Sequence, residues 1–552
     1  MTTPYRLLLI SNQPVRTLRN LARRIERELP GVRIAGIVFE LSTGDSSSRR
    51  GLSRIVDLLL QVLHGGVRPL TAAFGPEQLI EECRQCQWPV LMRDHMKDNQ
   101  ALVNFVTDSK ADLALVLGNP SIPATILTIP RYGSLRVQVS NAPCNGGNGK
   151  HRPPVTAARQ HGLRVSVEPA FSTQPAERVI SVRVPPQVFD TPATTALVAD
   201  LITNDLLLRA VGSLSRGQTT KAGEELWSWA HDMLSSCFSA TASKPNGQEA
   251  VRWKDKYDLK LAFKRILSML ILCSPYVIAR NWYRRWTGRF PVIFLFHHLV
   301  SNRSHRMAIS TEKFLRQVEF LQRHYRIVSL SEAMEIVRSG TCKVPTVCLT
   351  FDDGYEDNFL YLRAVAEALG VPVALFLCTK PIESRKEFTH DLKKGITGFH
   401  ALGWSQIRYW RGDRVEFGSH TRSHLDCGIS DVRVLQDELA GARDDLAAQL
   451  AAPPRFFAFP WGKETNMSRE ALRIATSLYD CSFSTISCAH FPKKGSALRF
   501  AGRKPLPSRV WELELTVQSI FDFSSHSWDE YNAREDVAED CVMAVSDAVQ
   551  QK

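Results

Sequence analysis

Two adjacent aspartates, Asp352 and Asp353, lie in the stretch TFDDG (350–354), and two histidines four apart, His420 and His424, lie in SHTRSH (419–424). Two imidazoles and one carboxylate make a ligand set for a divalent cation, with coordination positions left over for water and substrate. The other carboxylate, one residue away, then remains free as a base. Together these side chains suggest metal-assisted hydrolysis, in which a cation activates water and a neighbouring carboxylate takes its proton. Each pair by itself says little, because Asp-Asp-Gly is most often a capped turn and spaced histidines are often surface residues. Their occurrence together, about 65 residues apart and each after an apolar run, carries the reading.

Both pairs follow segments that read as strands. VPTVCL leads into the aspartates and RVEFG into the first histidine. Strand ends are where α/β folds place reacting groups, and Gly354 permits the tight turn that such an end needs. A helical turn after the second strand would aim His420 and His424 the same way. Further strand-like runs are PVIFLFHHLV, VPVALFLCT, RFFAFPWG and DCSFSTI, with helical segments such as TEKFLRQVEFLQRHY and DNFLYLRAVAEALG between them. Residues 291–515 therefore read as one α/β domain. Residues 1–212 read as another, an open α/β sheet in which YRLLLIS, VRIAGIVFE and ADLALVLGN alternate with helices such as TLRNLARRIEREL. Residues 213–290 form a connector with a linker-like stretch (239–249), and 516–552 an acidic, helical tail.

A length of 552 residues suits two domains, and a net charge of +13 suggests an anionic partner. The N-terminal apolar run LLLI is too short for a secretion signal. The 12 cysteines are scattered, which points to a reducing, cytoplasmic setting. Cys83 and Cys86 form a lone CxxC with no second pair at zinc-finger spacing. Nine Lys and Arg residues in 254–289 flank a 14-residue apolar centre, with Trp282, Tyr283 and Trp286 to one side. That centre is too short to span a bilayer but suits a helix lying in the interface on the inner membrane face. No basic recognition helix or aromatic sheet motif points to nucleic acid. The oligomeric state is open.

The motifs of the second domain are those of a known family. TFDDG, SHTRSH and FAFPWG (457–462) resemble the three motifs of polysaccharide deacetylases of the NodB-homology type, and VEFLQRHYRIVSL (318–330) fits the spacing before the first. Ala458 and Trp461 stand where that family commonly has Arg and Tyr. The resemblance implies a distorted (β/α) barrel that removes an N-acetyl group from an amino sugar. It implies Asp353, His420 and His424 as ligands of a divalent metal, zinc above all, and Asp352 as the general base. The backbone N–H of Trp461 would face the oxyanion, with Trp461 and Pro460 lining the acyl pocket. One branch takes its general acid from an early Tyr-His-x-Val strand; FLFHHLV sits at that place, making His297 the first candidate and His298 the second. The family's Arg normally pairs with the base, so Ala458 leaves Asp352 without its usual partner. The expected substrate is an N-acylated amino-sugar saccharide, free or lipid-linked, of surface polysaccharide synthesis. Rival readings are a deformylase of the same family and a non-catalytic glycan-binding scaffold.

The first domain resembles the formyltransferases that use a folate formyl donor. Pro130, Tyr132, Gly133, Ser140 and Pro143 match their frame. Arg136, Gln138 and Ser172 stand where the resemblance expects Asn, His and Asp. Gln cannot titrate as an imidazole does and Ser cannot supply a carboxylate, so the expectation is a formyltransferase-like fold without that chemistry.

Overall fold

In the computed structural model of the protein, residues 4–41, 60–64, 76–93, 99–141, 163–170, 180–184, 191–217, 267, 270–272 and 274–519 are described, the last stretch without 413, 451, 496 and 497. The chain divides into two compact units: 1–49 with 72–244 and 367–369, and 50–71 with 245–366 and 370–552.

The first unit is built on seven strands: β1 (Tyr5–Ser11), β2 (Val32–Glu40), β3 (Val90–Arg93), β4 (Leu113–Leu117), β5 (Ser134–Asn141), β6 (Leu163–Pro169) and β7 (Ile180–Val184). Their order is β3-β2-β1-β4-β5-β6-β7. Pairing is parallel through β5 and antiparallel for the last two strands. Central β1 and β4 are apolar on both faces, as parallel strands covered by helices must be. The helix Val15–Glu28 buries Leu18, Leu21, Ala22 and Ile25, a stripe at helical spacing. This is the open α/β sheet expected from the alternating segments.

The second unit holds β8 (Val292–His297), β9 (Leu299–Val300), β10 (Ala308–Ile309), β11 (Arg326–Val328), β12 (Thr346–Phe351), β13 (Val373–Leu377), β14 (Val415–Ser419), β15 (Phe456–Ala458), β16 (Cys481–Ser484), β17 (Phe500–Gly502) and β18 (Lys504–Pro505). The main sheet runs β17-β16-β15-β14-β13-β12-β8-β18, with β11 also on β12, and every pair is parallel. Its two ends are one stretch of chain. Phe500–Gly502 pairs with β16 and Lys504–Pro505 with β8, so the segment through Arg503 bridges the first and last strands. The result is a nearly closed barrel filled by Phe294, Phe376, Phe456, Ala458 and Phe483.

Gly418, on β14, shows how tightly that interior is filled. A Cβ there would stand 2.4 Å from the Phe376 ring and 3.0 Å from the Phe456 carbonyl oxygen. Gly418→Ala should cost about 1–3 kcal/mol by overpacking, and a thermal unfolding scan checks it; an unchanged midpoint would mean that the Phe376 ring moves aside freely.

The unit boundaries differ from the sequence reading at several places: 213–217, read as connector, and 367–369, read in the second domain, fall with the first unit. Residues 60–64, from within the segment assigned to the first domain, belong to the second unit. There His64 Nε2 lies 2.8 Å from Glu514 Oε1, the Tyr325 hydroxyl donates to Glu514 Oε2 at 2.7 Å, and Asn281 Nδ2 donates to the Leu63 carbonyl at 2.8 Å. Partners so distant in sequence leave no local signature. Helix Val510–Gln518 carries Glu514 and Gln518 into this network, so residues 516–518 continue it; 520–552 lie outside the described residues.

Candidate active site

β12 ends where its buried run stops, and Asp352 and Asp353 follow at once, both almost fully buried. The Asp352 N–H donates to the His297 carbonyl at 2.9 Å, which fixes the strand end against β8. Asp353 adopts φ +70° and Gly354 φ +89°. Of the described non-glycine residues with positive φ, four stand in this site: Asp353, Thr421, His424 and Trp461. Such conformations are costly for residues with a Cβ and cluster where surrounding structure holds side chains in working positions.

His420 and His424 reach Asp353 from the end of β14. His420 Nε2 lies 3.5 Å and His424 Nε2 3.2 Å from Asp353 Oδ1. The expected helical turn is absent. Residues 420–425 form a bent loop in which Thr421 (φ +64°) and His424 (φ +61°) reverse the chain. Tertiary contacts set that bend: Glu438, on helix Val432–Leu450, accepts from the Ser423 N–H at 2.7 Å and its hydroxyl at 2.8 Å. The two imidazoles still converge, by a loop geometry that spacing alone does not reveal.

The donor set fits a cation. His420 Nδ1 lies 2.7 Å from the Ala458 carbonyl and must donate to it, which leaves Nε2 as a lone pair aimed at Asp353. Both Asp353 oxygens are buried without a hydrogen-bond partner. Lone pairs facing one another in a buried site are stable only around a shared positive charge. One ligand atom from each of Asp353, His420 and His424 lies within 4.8 Å of the others, a grouping that could hold a metal ion.

Asp352 has a partner that sequence reading missed. Arg503 donates to Asp352 Oδ1 at 2.7 Å and to Oδ2 at 2.8 Å, a two-pronged clamp, and also to Thr350 Oγ1 at 3.0 Å. Burial pushes the Asp352 carboxyl up, but the Arg503 charge outweighs it and the group lies below the ordinary carboxylate range. The guanidinium is itself fully buried, among the rings of Phe296 and Phe376. Ala458, where the family's arginine was expected, belongs to the barrel core, and the counter-charge arrives from the closing segment instead. An arginine between two short apolar stretches, in RFAGRKP, was the one available signal.

His297 is the last residue of β8 and His298 follows it in a bend. Phe296 lies under Arg503 and its ring centroid is 6.1 Å from that of His298, so the His298 ring comes beside Phe296 under Arg503. His297 pairs in register with Phe351. Burial lowers His298, and the countering influence comes from Asp353 and then Asp352. Burial takes His297 down to about 3, with the His298 charge adding to it and the Asp352 charge opposing it. The His298 backbone is fixed as well, since Asn358 Nδ2 donates to its carbonyl at 2.8 Å.

A further histidine joins the site without a motif. His390 Nε2 lies 3.9 Å from Asp353 Oδ2 and its ring centroid 4.6 Å from that of His424. The Tyr355 hydroxyl lies 3.0 Å from His390 Nε2 and donates to Asp391 Oδ2 at 2.6 Å. Trp461 is 43% exposed and stands edge-on to His424 at 4.4 Å, with the buried Pro460 just before it.

In the first unit, Arg136 and Gln138 lie on β5, opposite Glu168 and Ser166. Ser172 lies outside the described residues. Cys83 and Cys86 are free thiols raised by burial, Cys83 to about 11, so neither is poised as a thiolate.

Residues 339–478 match the polysaccharide deacetylase family model. No curated protein matches the chain. Among solved structures it is similar to IcaB from Ammonifex degensii (23% identity, 42% of this chain and 97% of that one, TM-score 0.34). It is also similar to the Streptococcus pyogenes deacetylase PplD (17% identity, 42% and 98%, TM-score 0.35). A third likeness is to phosphoribosylglycinamide formyltransferase from Anaplasma phagocytophilum (12% identity, 38% and 87%, TM-score 0.28). The family match spans the aspartate pair, both histidines and Trp461 but stops short of Arg503 and begins after His298; over residues 339–478 the chain carries a polysaccharide deacetylase domain.

Proposed function

We propose that the second unit hydrolyses the N-acetyl group of an amino sugar in a saccharide. The observation that carries this reading is the pairing of an Arg503-clamped Asp352 with the convergent Asp353, His420 and His424. A divalent cation held by those three ligands, zinc being the best match to the donors, would polarise the acyl carbonyl and make water a better nucleophile. Asp352, kept ionised by Arg503, accepts the proton of the attacking water. The backbone N–H of Trp461 faces the developing oxyanion, and Trp461 with Pro460 bounds the acyl group. A protonated acid must then deliver its proton to the departing amine nitrogen.

We assign that step to His298 rather than His297, because the His298 ring comes beside Phe296 under Arg503, the partner of Asp352. His298→Asn should lower kcat by about 10²–10⁴-fold with metal content unchanged, whereas His297→Asn should act only through packing. The reverse ranking would return the role to His297.

A saccharide carried on a lipid in surface polysaccharide synthesis, met at the inner membrane face by a cytoplasmic enzyme, fits the basic, aromatic connector. The first unit is assigned a silent formyltransferase-like role, with Arg136, Gln138 and Ser172 replacing the groups that chemistry needs. The test is acid release. Purified protein with zinc is incubated with N-acetylated oligosaccharides and with lipid-linked saccharide extracts, and acetate and formate are quantified separately. Acetate from wild type and none from Asp352→Asn supports the reading. Formate alone moves the reaction to a deformylase, and neither acid from metal-loaded protein leaves a glycan-binding role.

A further inference from the structure

The helix Pro275–Thr287 presents a mixed side to the interior. Val277 is buried with Leu63 and Leu272, and Ile278 packs against that cluster. Asn281 is fully buried and donates to the Leu63 carbonyl at 2.8 Å and to Gln518 Oε1 at 2.9 Å. Arg280 donates to the Gln518 carbonyl at 3.1 Å, and the Arg284 guanidinium lies 5.3 Å from the centre of the Phe491 ring. These contacts fix the rotation of the helix. Its outward side then carries Tyr276, Trp282, Tyr283 and Trp286, with Tyr276 73% and Trp286 83% exposed. Leu267 and Leu270, just before the helix, are exposed too. Half of the large apolar side chains that are exposed among the described residues thus fall within 267–286. A helix that served only packing would turn its aromatics inward and its arginines out.

We propose that this face seats in the interfacial layer of an anionic membrane. Charge selects the partner. From 259 to 289 the chain has seven Lys and Arg residues and no Asp or Glu. Arg285 and Arg289 are exposed on the same stretch. Tryptophan and tyrosine settle at headgroup depth, while arginines hold anionic headgroups beside them. A second copy of the chain is a poor occupant, because a symmetric contact would bring two stretches rich in positive charge together. A sugar is also a poor occupant. The Tyr283 and Trp286 rings meet at 61°, giving no flat platform, and the two leucines offer nothing to hydroxyl groups. Among the described residues no helix is long and apolar enough to cross a membrane, so the segment would lie on the surface. This assignment does not rest on the reaction proposed above.

Full-length protein is floated with phosphatidylcholine vesicles, with and without phosphatidylglycerol, at low and high salt. Binding is expected only with phosphatidylglycerol and should weaken as salt rises. Replacing Tyr276, Trp282, Tyr283 and Trp286 together with Ser should weaken it by about tenfold or more, with the thermal midpoint unchanged because these side chains are exposed. Should that variant misfold, the gentler Trp282→Phe, Trp286→Phe pair decides: tryptophan quenching by brominated acyl chains should fall relative to wild type. Asp352→Asn should float like wild type, which separates surface binding from catalysis. Equal flotation of the serine variant and wild type, or no flotation of wild type, overturns the proposal. A wild-type dimer that fails to float and that the serine substitutions dissociate assigns the face to a second copy instead.

Discussion

Asp352→Asn is expected to keep its metal and to lose turnover by about 10²–10⁴-fold, while Asp353→Asn loses both. The two carboxylates are neighbours, yet their surroundings are opposite. Asp352 has both oxygens engaged by Arg503, at 2.7 and 2.8 Å. Those contacts suit a carboxylate held in place to accept a proton. Asp353 has two buried oxygens without hydrogen bonds, facing two imidazole nitrogens. Amidation at 353 removes a negative charge from among ligands that need it, and an amide is a poor substitute for a carboxylate toward a divalent cation. Metal content by elemental analysis and acetate release by coupled assay separate the two outcomes. A fully active Asp352→Asn would remove the base assignment, and a metal-replete Asp353→Asn would remove the ligand assignment.

Arg503→Met is expected to be nearly as damaging to activity and the more damaging of the two to stability. It leaves Asp352 buried without its main counter-charge, a change that costs about 3–5 kcal/mol when one partner of a buried pair is removed. The dependence on pH gives the sign. In wild type, burial raises the Asp352 pKa but Arg503 lowers it further, to a net value below the ordinary one. A depressed carboxyl contributes stability above its unfolded pKa, and that contribution is lost as pH falls through the folded value. Without Arg503 the burial effect dominates and the carboxyl becomes easier to protonate. The stability gap between wild type and Arg503→Met should therefore be wide at neutral pH and narrow as pH falls. The acid limb of the activity profile should move to higher pH. Arg503→Lys keeps a charge but not the fork, and should recover part of the stability with less of the turnover. A gap that stays constant from neutral pH into the acid range would show that Arg503 acts only by filling space.

The pattern of residues was enough to single out Asp353, His420 and His424, which the structure brings together. A buried apolar run ending in two carboxylates, and another ending in spaced histidines, have few purposes besides a site at the end of a parallel sheet. The strands, their helices and the two α/β regions were legible because local periodicity alone produces them. Local patterns failed at contacts that cross the chain. The loop of His420 and His424 depends on Glu438 rather than on a helical turn. Residues 60–64 join the second unit through His64 and Asn281. His390 enters the site from a short helix with no motif. The choice between His297 and His298 turns on how the chain bends after β8, where the His298 ring comes beside Phe296 under Arg503.

Arg503 marks the same limit most clearly. The sequence by itself determined that an aspartate pair and two histidines would stand at strand ends, since residue type and periodicity are local properties. Only the tertiary structure decided what holds the buried Asp352 carboxylate in its charged form. The arginine that does so lies 151 positions away, on the short segment that joins both ends of the sheet. Closing the barrel brings that segment to Asp352, and closure depends on the packing of every strand between them.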